Sequence, residues 1–226
     1  PLEVVTRRYA VGSYLQRHPE YARDSNPPHR FDNLPVELFL KTTDHKVVTG
    51  NQTIDLSDSL TVEDPLIANP DGLIWSLRHP KRPPNQGELG INVNALEVFG
   101  AFKPDKIREL IKDEDVVARA VLHTLLKGFI EPMCYYSRVA FLEVEQAFAR
   151  LGCSLIDWKI EFGFSTGLQM VIADVIDNDS WRLRDNNWDE LSKENFRQNL
   201  PLNFVGEKYE LVTKLTDNFS AAMTTG

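Results

Sequence analysis

Cysteine is scarce in this chain. Two residues, Cys134 and Cys153, occur in 226 and no C-x-x-C spacing is present, which excludes a zinc knuckle or a disulfide framework and favours a reducing compartment, the cytosol. Long apolar runs are lacking as well. Stretches such as Ala140–Leu142 and Val171–Ala173 break off far short of the roughly 20 residues needed to span a bilayer, so no membrane segment is expected. Positive charge is outnumbered: 25 Lys and Arg face 33 Asp and Glu, for a net charge of −8. That balance excludes the broad cationic face of a non-specific nucleic-acid binder, though not a local cationic pocket. Glycine never forms a phosphate cradle; Gly50-Asn51 and Gly87-Glu88-Leu89-Gly90 are isolated glycines in loop-like stretches,.

What is present has ordinary globular proportions, 42% hydrophobic and 26% charged, enough to build a substantial core. Residues 2–11, rich in Val and Tyr, predict a strand ending near Gly12, and the prolines between Arg23 and Pro35 predict an extended loop before a second strand over 36–41. From about 42 to 104 the chain is rich in Pro, Gly, Asn and Asp and weakly patterned, which reads as a long insertion with short elements of its own. Helical spacing follows. Ile107, Leu110, Ile111, Val117, Val121, Leu125 and Phe129 mark one apolar stripe, predicting a helix over 105–130. Tyr136, Val139, Leu142, Ala147 and Phe148 mark a second over 136–151, with Gly152 at a left-handed C-terminal cap. A last helix is expected over about 203–218.

The most informative local pattern lies after Gly152. In Leu155–Gly163, alternation puts Asp157, Lys159 and Glu161 on one strand face and Ile156, Trp158, Ile160 and Phe162 on the other. A two-residue turn at Thr166-Gly167 would pair Glu161 with Ile172 and Lys159 with Asp174, placing Asp174 diagonal to Glu161 at roughly 7 Å. Two such carboxylates could share a divalent ion. Spacing alone favours an ion-paired solvent face.

Residue identities go further. Pro1, Leu2, Glu3, Val5, Arg7, Gly12 and Ser13 follow the P-hydrophobic-E-x-hydrophobic-x-R-x-x-x-small-G-S signature, and Leu155–Gly163 follows hydrophobic-hydrophobic-D-x-K-hydrophobic-E-F-G. Both segments resemble the SAICAR synthetase (phosphoribosylaminoimidazole-succinocarboxamide synthase) family, and residues 171–183 look like its animal form. Thr6, Val11 and Thr42-Thr43-Asp44 depart from the family pattern. The resemblance implies an α+β fold over 1–226: the carboxy-terminal lobe, a mainly antiparallel sheet flanked by helices, with the insertion at 42–104 and without the amino-terminal ATP-covering lobe. It implies an ATP-dependent ligase of purine biosynthesis that joins L-aspartate to carboxyaminoimidazole ribonucleotide, with ATP and Mg²⁺ as cofactors.

Carried residue by residue, the resemblance assigns Lys159 to the reacting carboxylate and Glu161 and Asp174 to magnesium. Arg7 and Ser13 would hold the ribonucleotide phosphate, and Arg182 and Arg197 would bind further anions. Glu3, Asp64, Asp157 and Asp179 would contact substrate or orient the arginines. A homo-oligomer and a fused or associated carboxylase domain stay open. Two other readings stand beside this one: an amide ligase diverged toward another acid or amine, suggested by the insertion, and a non-catalytic binding or assembly module.

Overall fold

The structure, a computed structural model, describes residues 2–24, 26–49, 52–58, 64–99, 109, 116–165, 169–197 and 199–217, the side chains of Arg119 and Arg197 excepted. It is α+β. β1 (Leu2–Arg7) forms because apolar and β-branched residues alternate with charged ones: Leu2, Val4 and Thr6 are buried on one face, while Glu3, Val5 and Arg7 point to the other,. β8 (Ser154–Phe164) alternates the same way and pairs antiparallel with β1, setting Glu3 opposite Glu161, Val5 opposite Lys159 and Arg7 opposite Asp157. On the other flank β2 (Val36–Leu40) pairs with β1, with Glu37 opposite Val5 and Phe39 opposite Glu3.

The sheet continues through β5 (Leu66–Ile67), β6 (Ile74–Arg78) and β7 (Glu88–Asn94), all antiparallel, to give the order β8-β1-β2-β5-β6-β7. β5, β6 and β7, within the expected insertion, therefore extend the main sheet. Short strands separated by turn residues carry too little periodicity to be told from loop, and only pairing with β2 and with one another gives them their place. The expected elements of the insertion's own are found in β3 (Lys46–Val48) and β4 (Thr53–Asp55), a separate two-stranded ribbon. A short helix, α2 (Ala95–Phe99), follows β7.

One face of the sheet is covered by α3 (Val116–Arg150), a single helix of 35 residues where two were expected. Of the expected first helix, 105–115 lies outside the described residues except for helical Glu109. Pro132 sits inside α3 and costs it about 3 kcal/mol by removing a backbone donor and crowding the preceding turn. Burial offsets that cost: Leu126, Met133, Phe141 and Phe148 are fully buried, and each large apolar side chain taken from water contributes about 1.5–3 kcal/mol. The buried stripe matches the expected one at Ala147 and Phe148 but is displaced before them. Leu122, Leu126, Ile130, Met133 and Phe141 face the sheet, whereas Val117, Val121, Leu125, Tyr136, Val139 and Leu142 are exposed. With apolar residues on both sides of the helix, composition does not choose the face. Tertiary contact does: Ser137 of α3, fully buried, is hydrogen-bonded to Thr6 Oγ1 (2.7 Å) and accepts from Trp158 Nε1 (3.3 Å).

Gly152 caps α3 as expected, with φ of +75° and the Cys153 amide donating to the Phe148 carbonyl,. After β8 the chain returns as β9 (Met170–Ile172), and here the register differs from expectation. Phe162 pairs with Ile172 and Gly163 with Val171, and the Ala173 amide donates to the Glu161 carbonyl. The connecting residues 166–168, where a two-residue turn was expected, lie outside the described residues. A slip of one residue reverses every side chain with respect to its partner strand, so Asp174 is not set opposite Lys159. That place belongs to Ser180, whose carbonyl accepts the Lys159 amide at 2.7 Å. Residues 174–179 loop away from the sheet edge between these two bonds, and β10 (Trp181–Arg184) rejoins β8 with Arg182 opposite Asp157. The last described elements are α4 (Glu194–Arg197) and α5 (Leu202–Asp217), the latter burying Val205 and Val212.

Candidate functional site

The face of β1, β2 and β8 turned away from α3 is the floor of a cleft of about 640 Å³, lined by Glu3, Arg7, Ser13, Lys41, Asp157, Lys159 and Arg182 among others. The period of two puts every floor residue on one side, and the sheet pairing brings four distant segments together. The predicted charged strand face therefore exists, but it is a cleft floor and not a solvent face: Asp157 is only 4% exposed. Two ends of the cleft differ in charge.

At one end three guanidinia share two carboxylates. Arg182 binds Asp157 in a fork, Nε to Oδ1 at 2.8 Å and Nη2 to Oδ2 at 2.7 Å, and Arg7 Nη1 donates to the same Oδ2. Arg7 Nε donates to Glu37 (3.0 Å), whose other oxygen accepts from Arg17 Nη2 at 2.6 Å. Tyr14 packs between them, its ring 5.4 Å from the Arg7 guanidinium carbon and 5.9 Å from that of Arg17,. Burial pushes the Tyr14 phenol up, and the Glu37 charge adds to it, so Tyr14 stays neutral,. For Arg182, burial opposes the charge and Asp157 outweighs it, so its pKa is raised and the cation is secure.

Ser13 begins the short helix α1 (Ser13–Arg17) and lines this end. Gly12 before it has φ of +58°, and a Cβ there would intrude into the Arg182 guanidinium. Glycine is required on both grounds, by the left-handed backbone and by the close approach.

At the other end two ammoniums share three carboxylates. Glu3 and Glu161, directly opposite on β1 and β8, would repel each other if alone. Lys159 Nζ lies 3.3 Å from Glu3 and 3.6 Å from Glu161. Lys41 Nζ lies 3.1 Å from Glu161, 3.1 Å from Asp64 and 3.8 Å from Glu3. Asp64 is itself oriented by the backbone N–H and hydroxyl of Thr42, both at 2.8 Å. Burial alone would lower the Lys41 ammonium; hydrogen bonds to Glu161 and Asp64, with the Asp64 and Glu3 charges, outweigh it and hold it above its ordinary value,.

Most of the residues singled out in the sequence thus meet in one place: Glu3, Arg7, Ser13, Asp64, Asp157, Lys159, Glu161 and Arg182. Asp179 lines the rim, accepting from Tyr209 Oη at 3.0 Å while its carbonyl takes Lys193 Nζ. Asp174 is exposed and accepts the amide of Val175 at 2.8 Å. The Arg197 side chain lies outside the described residues. Three participants escaped sequence reading: Lys41, Glu37 and Arg17. Glu37, Phe39 and Lys41 continue the alternation of β2, so the period was there to find; Arg17 has no such signal.

Three carboxylates converge on the Lys41 ammonium, which shows that this end is built for positive charge. Among the described residues, though, no group of three or more His, Cys, Asp or Glu side chains is arranged to hold a metal ion alone. The donor set suits a hard cation completed by water and phosphate oxygens, with one or two carboxylates from the protein.

Known proteins bear on this geometry. The sequence model of the family described as SAICAR synthetase matches residues 101–214. The phosphoribosylaminoimidazole-succinocarboxamide synthase of Roseiflexus castenholzii is 30% identical over 96% of this chain and 63% of its own length. The bifunctional purine synthesis protein purC/E of Dictyostelium discoideum is 37% identical over 81% of this chain and 12% of its own. A crystal structure of SAICAR synthetase from Pyrococcus horikoshii OT3 aligns with 95% of this chain and 63% of that one, at a TM-score of 0.47 and 20% identity. The chain accordingly spans a little under two thirds of the length of the synthase from Roseiflexus. Half of the sequence fits the family model, and the likeness to that synthase runs through nearly all of it: the chain belongs to the SAICAR synthetase family.

Proposed function

We propose that the protein serves an ATP-dependent ligase of purine biosynthesis, joining L-aspartate to carboxyaminoimidazole ribonucleotide to give SAICAR, ADP and phosphate. The observation that carries this reading is the polarity of the cleft. A guanidinium-rich end suits the ribonucleotide phosphate, with Arg7 and Arg182 giving charge-assisted bonds and Ser13 a neutral donor,. The ammonium and carboxylate end lies a strand's length along the same floor, where the imidazole carboxylate would react.

A carboxylate is a poor acyl donor, so its oxygen must first be phosphorylated by ATP before the aspartate amine attacks the carbonyl carbon and phosphate leaves. Lys159 and Lys41 would hold the substrate carboxylate and stabilise negative charge developing on it. Glu3 and Asp64 would orient these ammoniums, and Asp157 the two arginines. Asp179 at the rim and Arg197 are proposed as further substrate contacts. Magnesium, when bound, neutralises nucleotide phosphate charge; Glu161 is the proposed protein ligand. Asp174, displaced from the expected pair by the strand register, is tested separately. β5, β6 and β7, in the stretch that suggested a diverged substrate, extend the main sheet.

The test is ligation by the full-length natural protein, followed as phosphate release with ATP, magnesium, the imidazole carboxylate nucleotide and aspartate. Lys159→Met and Glu161→Gln should each lower kcat at least 100-fold, and Arg7→Ala should chiefly raise KM for the ribonucleotide. Unchanged kinetics in Lys159→Met, or turnover that ignores which acid and amine are supplied, would refute the assignment. Asp174→Asn with intact magnesium dependence would leave Glu161 as the sole protein ligand tested.

A further inference from the structure

A second cleft, of about 260 Å³, is lined in part by Arg17. Its polar lining holds Arg17, Arg78 and Arg82 with the rings of His18 and His79 against the single carboxylate Glu37, and Arg78 Nη2 also meets Glu88 at 3.4 Å. Glu37 is already committed to two arginines. Arg17 is 4% exposed, yet its Nε has no hydrogen-bond acceptor, and the buried Nε of Arg78 has none either. Buried donors left without acceptors cost about 1–3 kcal/mol each, and both belong to residues that line this cleft. The remaining wall is apolar, made by Val36, Leu38, Leu66 and Ile67.

We propose that this cleft is a second site, which binds a small oxyanion carrying a compact apolar body, and that it is coupled negatively to the substrate cleft. Coupling follows from the shared partners. Arg17 holds Glu37, Glu37 holds Arg7, and Arg7 lines the substrate cleft. An anion that draws on Arg17 leaves more of the Glu37 charge to Arg7, which weakens the hold of Arg7 on a phosphate. By linkage, a phosphate on Arg7 returns Glu37 to Arg17 and weakens the second anion by the same factor. The loop after β6 joins the two sites as well: His79 and Arg82 line the second cleft, while Pro80, whose carbonyl accepts from Arg17 Nη1, lines the first.

The binding half stands apart from the functional proposal, whereas the coupling half rests on it. Phenyl phosphate titrated into the ¹⁵N-labelled full chain should shift the Arg17 and Arg78 Nε–H resonances and the amides of Ala68 and His79, with saturation. Inorganic phosphate should bind there at least threefold more weakly, because it lacks the apolar body. Arg78→Gln combined with Arg82→Gln should weaken phenyl phosphate at least tenfold while the amides of Gly12 and Arg182 keep their positions. Shifts confined to Gly12, Ser13 and Arg182, or an unchanged Kd in the double variant, would overturn the site. Saturating phenyl phosphate should also weaken ribose 5-phosphate in the substrate cleft at least threefold, and an unchanged affinity would overturn the coupling. If ribose 5-phosphate fails to bind that cleft at all, the functional proposal and the coupling fail together and the second site stands.

Discussion

Asp157→Asn should convert two paired arginines into an anion trap at a cost in stability. The carboxylate is 4% exposed and accepts from Arg182 Nε and Nη2 and from Arg7 Nη1. Removing one member of a buried ion pair costs about 3–5 kcal/mol, since the other charge stays buried and uncompensated. The amide oxygen can still accept from one guanidinium, and Arg7 keeps Glu37, so the lower end, about 3 kcal/mol, is expected.

For a chain of this size each kcal/mol moves Tm by about 2–4 °C, which predicts a fall of about 6–12 °C in chloride buffer. Phosphate should then restore part of the loss. A ligand at about 100 times its Kd contributes about 2.7 kcal/mol to the folded state, and the freed guanidinia should reach that condition at lower phosphate than the wild type does. The assay is thermal unfolding of both proteins across a phosphate series at constant ionic strength, which separates binding from screening. A Tm within about 2 °C of wild type, or a variant no more responsive to phosphate than the wild type, would refute the reasoning.

Three further outcomes follow from the same geometry. Gly12→Ala should destabilise the protein and weaken phosphate binding together, because it strains a left-handed backbone and displaces the Arg182 guanidinium,; a Kd for phosphate unchanged by isothermal calorimetry would count against Gly12 as a cleft residue. Lys41→Met should cost about 1–3 kcal/mol at neutral pH by removing charged hydrogen bonds. Because the folded pKa of Lys41 is raised above its ordinary 10.5, that contribution is complete below about pH 10 and is lost only as pH climbs through the raised value. Urea unfolding should therefore show a constant gap between wild type and variant from about pH 7 to 9.5, and a gap that closes within that range would contradict the pairing. Burial pushes both the Cys134 and Cys153 thiols up, so alkylation by iodoacetamide at pH 8 should be much slower than in the urea-unfolded chain.

Local order was legible where a feature depends on neighbours along the chain. Alternation in Leu155–Gly163 separated Asp157, Lys159 and Glu161 from the apolar face, and the glycine after the second apolar stripe marked the end of the helix at Gly152. Among the described residues no helix is long and apolar enough to cross a membrane. The two signatures also contained Glu3, Arg7, Ser13, Asp157 and Lys159 of the cleft.

Other features were decided by partners distant in sequence, which no local window contains. Two helices were expected, but packing on β1 and β8 carries the single helix α3 through Pro132. Register is equally non-local. Turn residues suggested pairing Lys159 with Asp174, and the sheet edge instead gave that place to Ser180, because a one-residue slip costs nothing in composition yet changes every facing pair,. Lys41, Glu37 and Arg17 acquired roles only when β2 and α1 were laid beside β8. The sequence by itself determined which strand faces carry charge, since alternation is a property of the backbone. Tertiary structure alone decided which charges meet, and so made a cleft with a cationic end and an acidic end from segments some 150 residues apart, because pairing energy depends on distance in space and not along the chain.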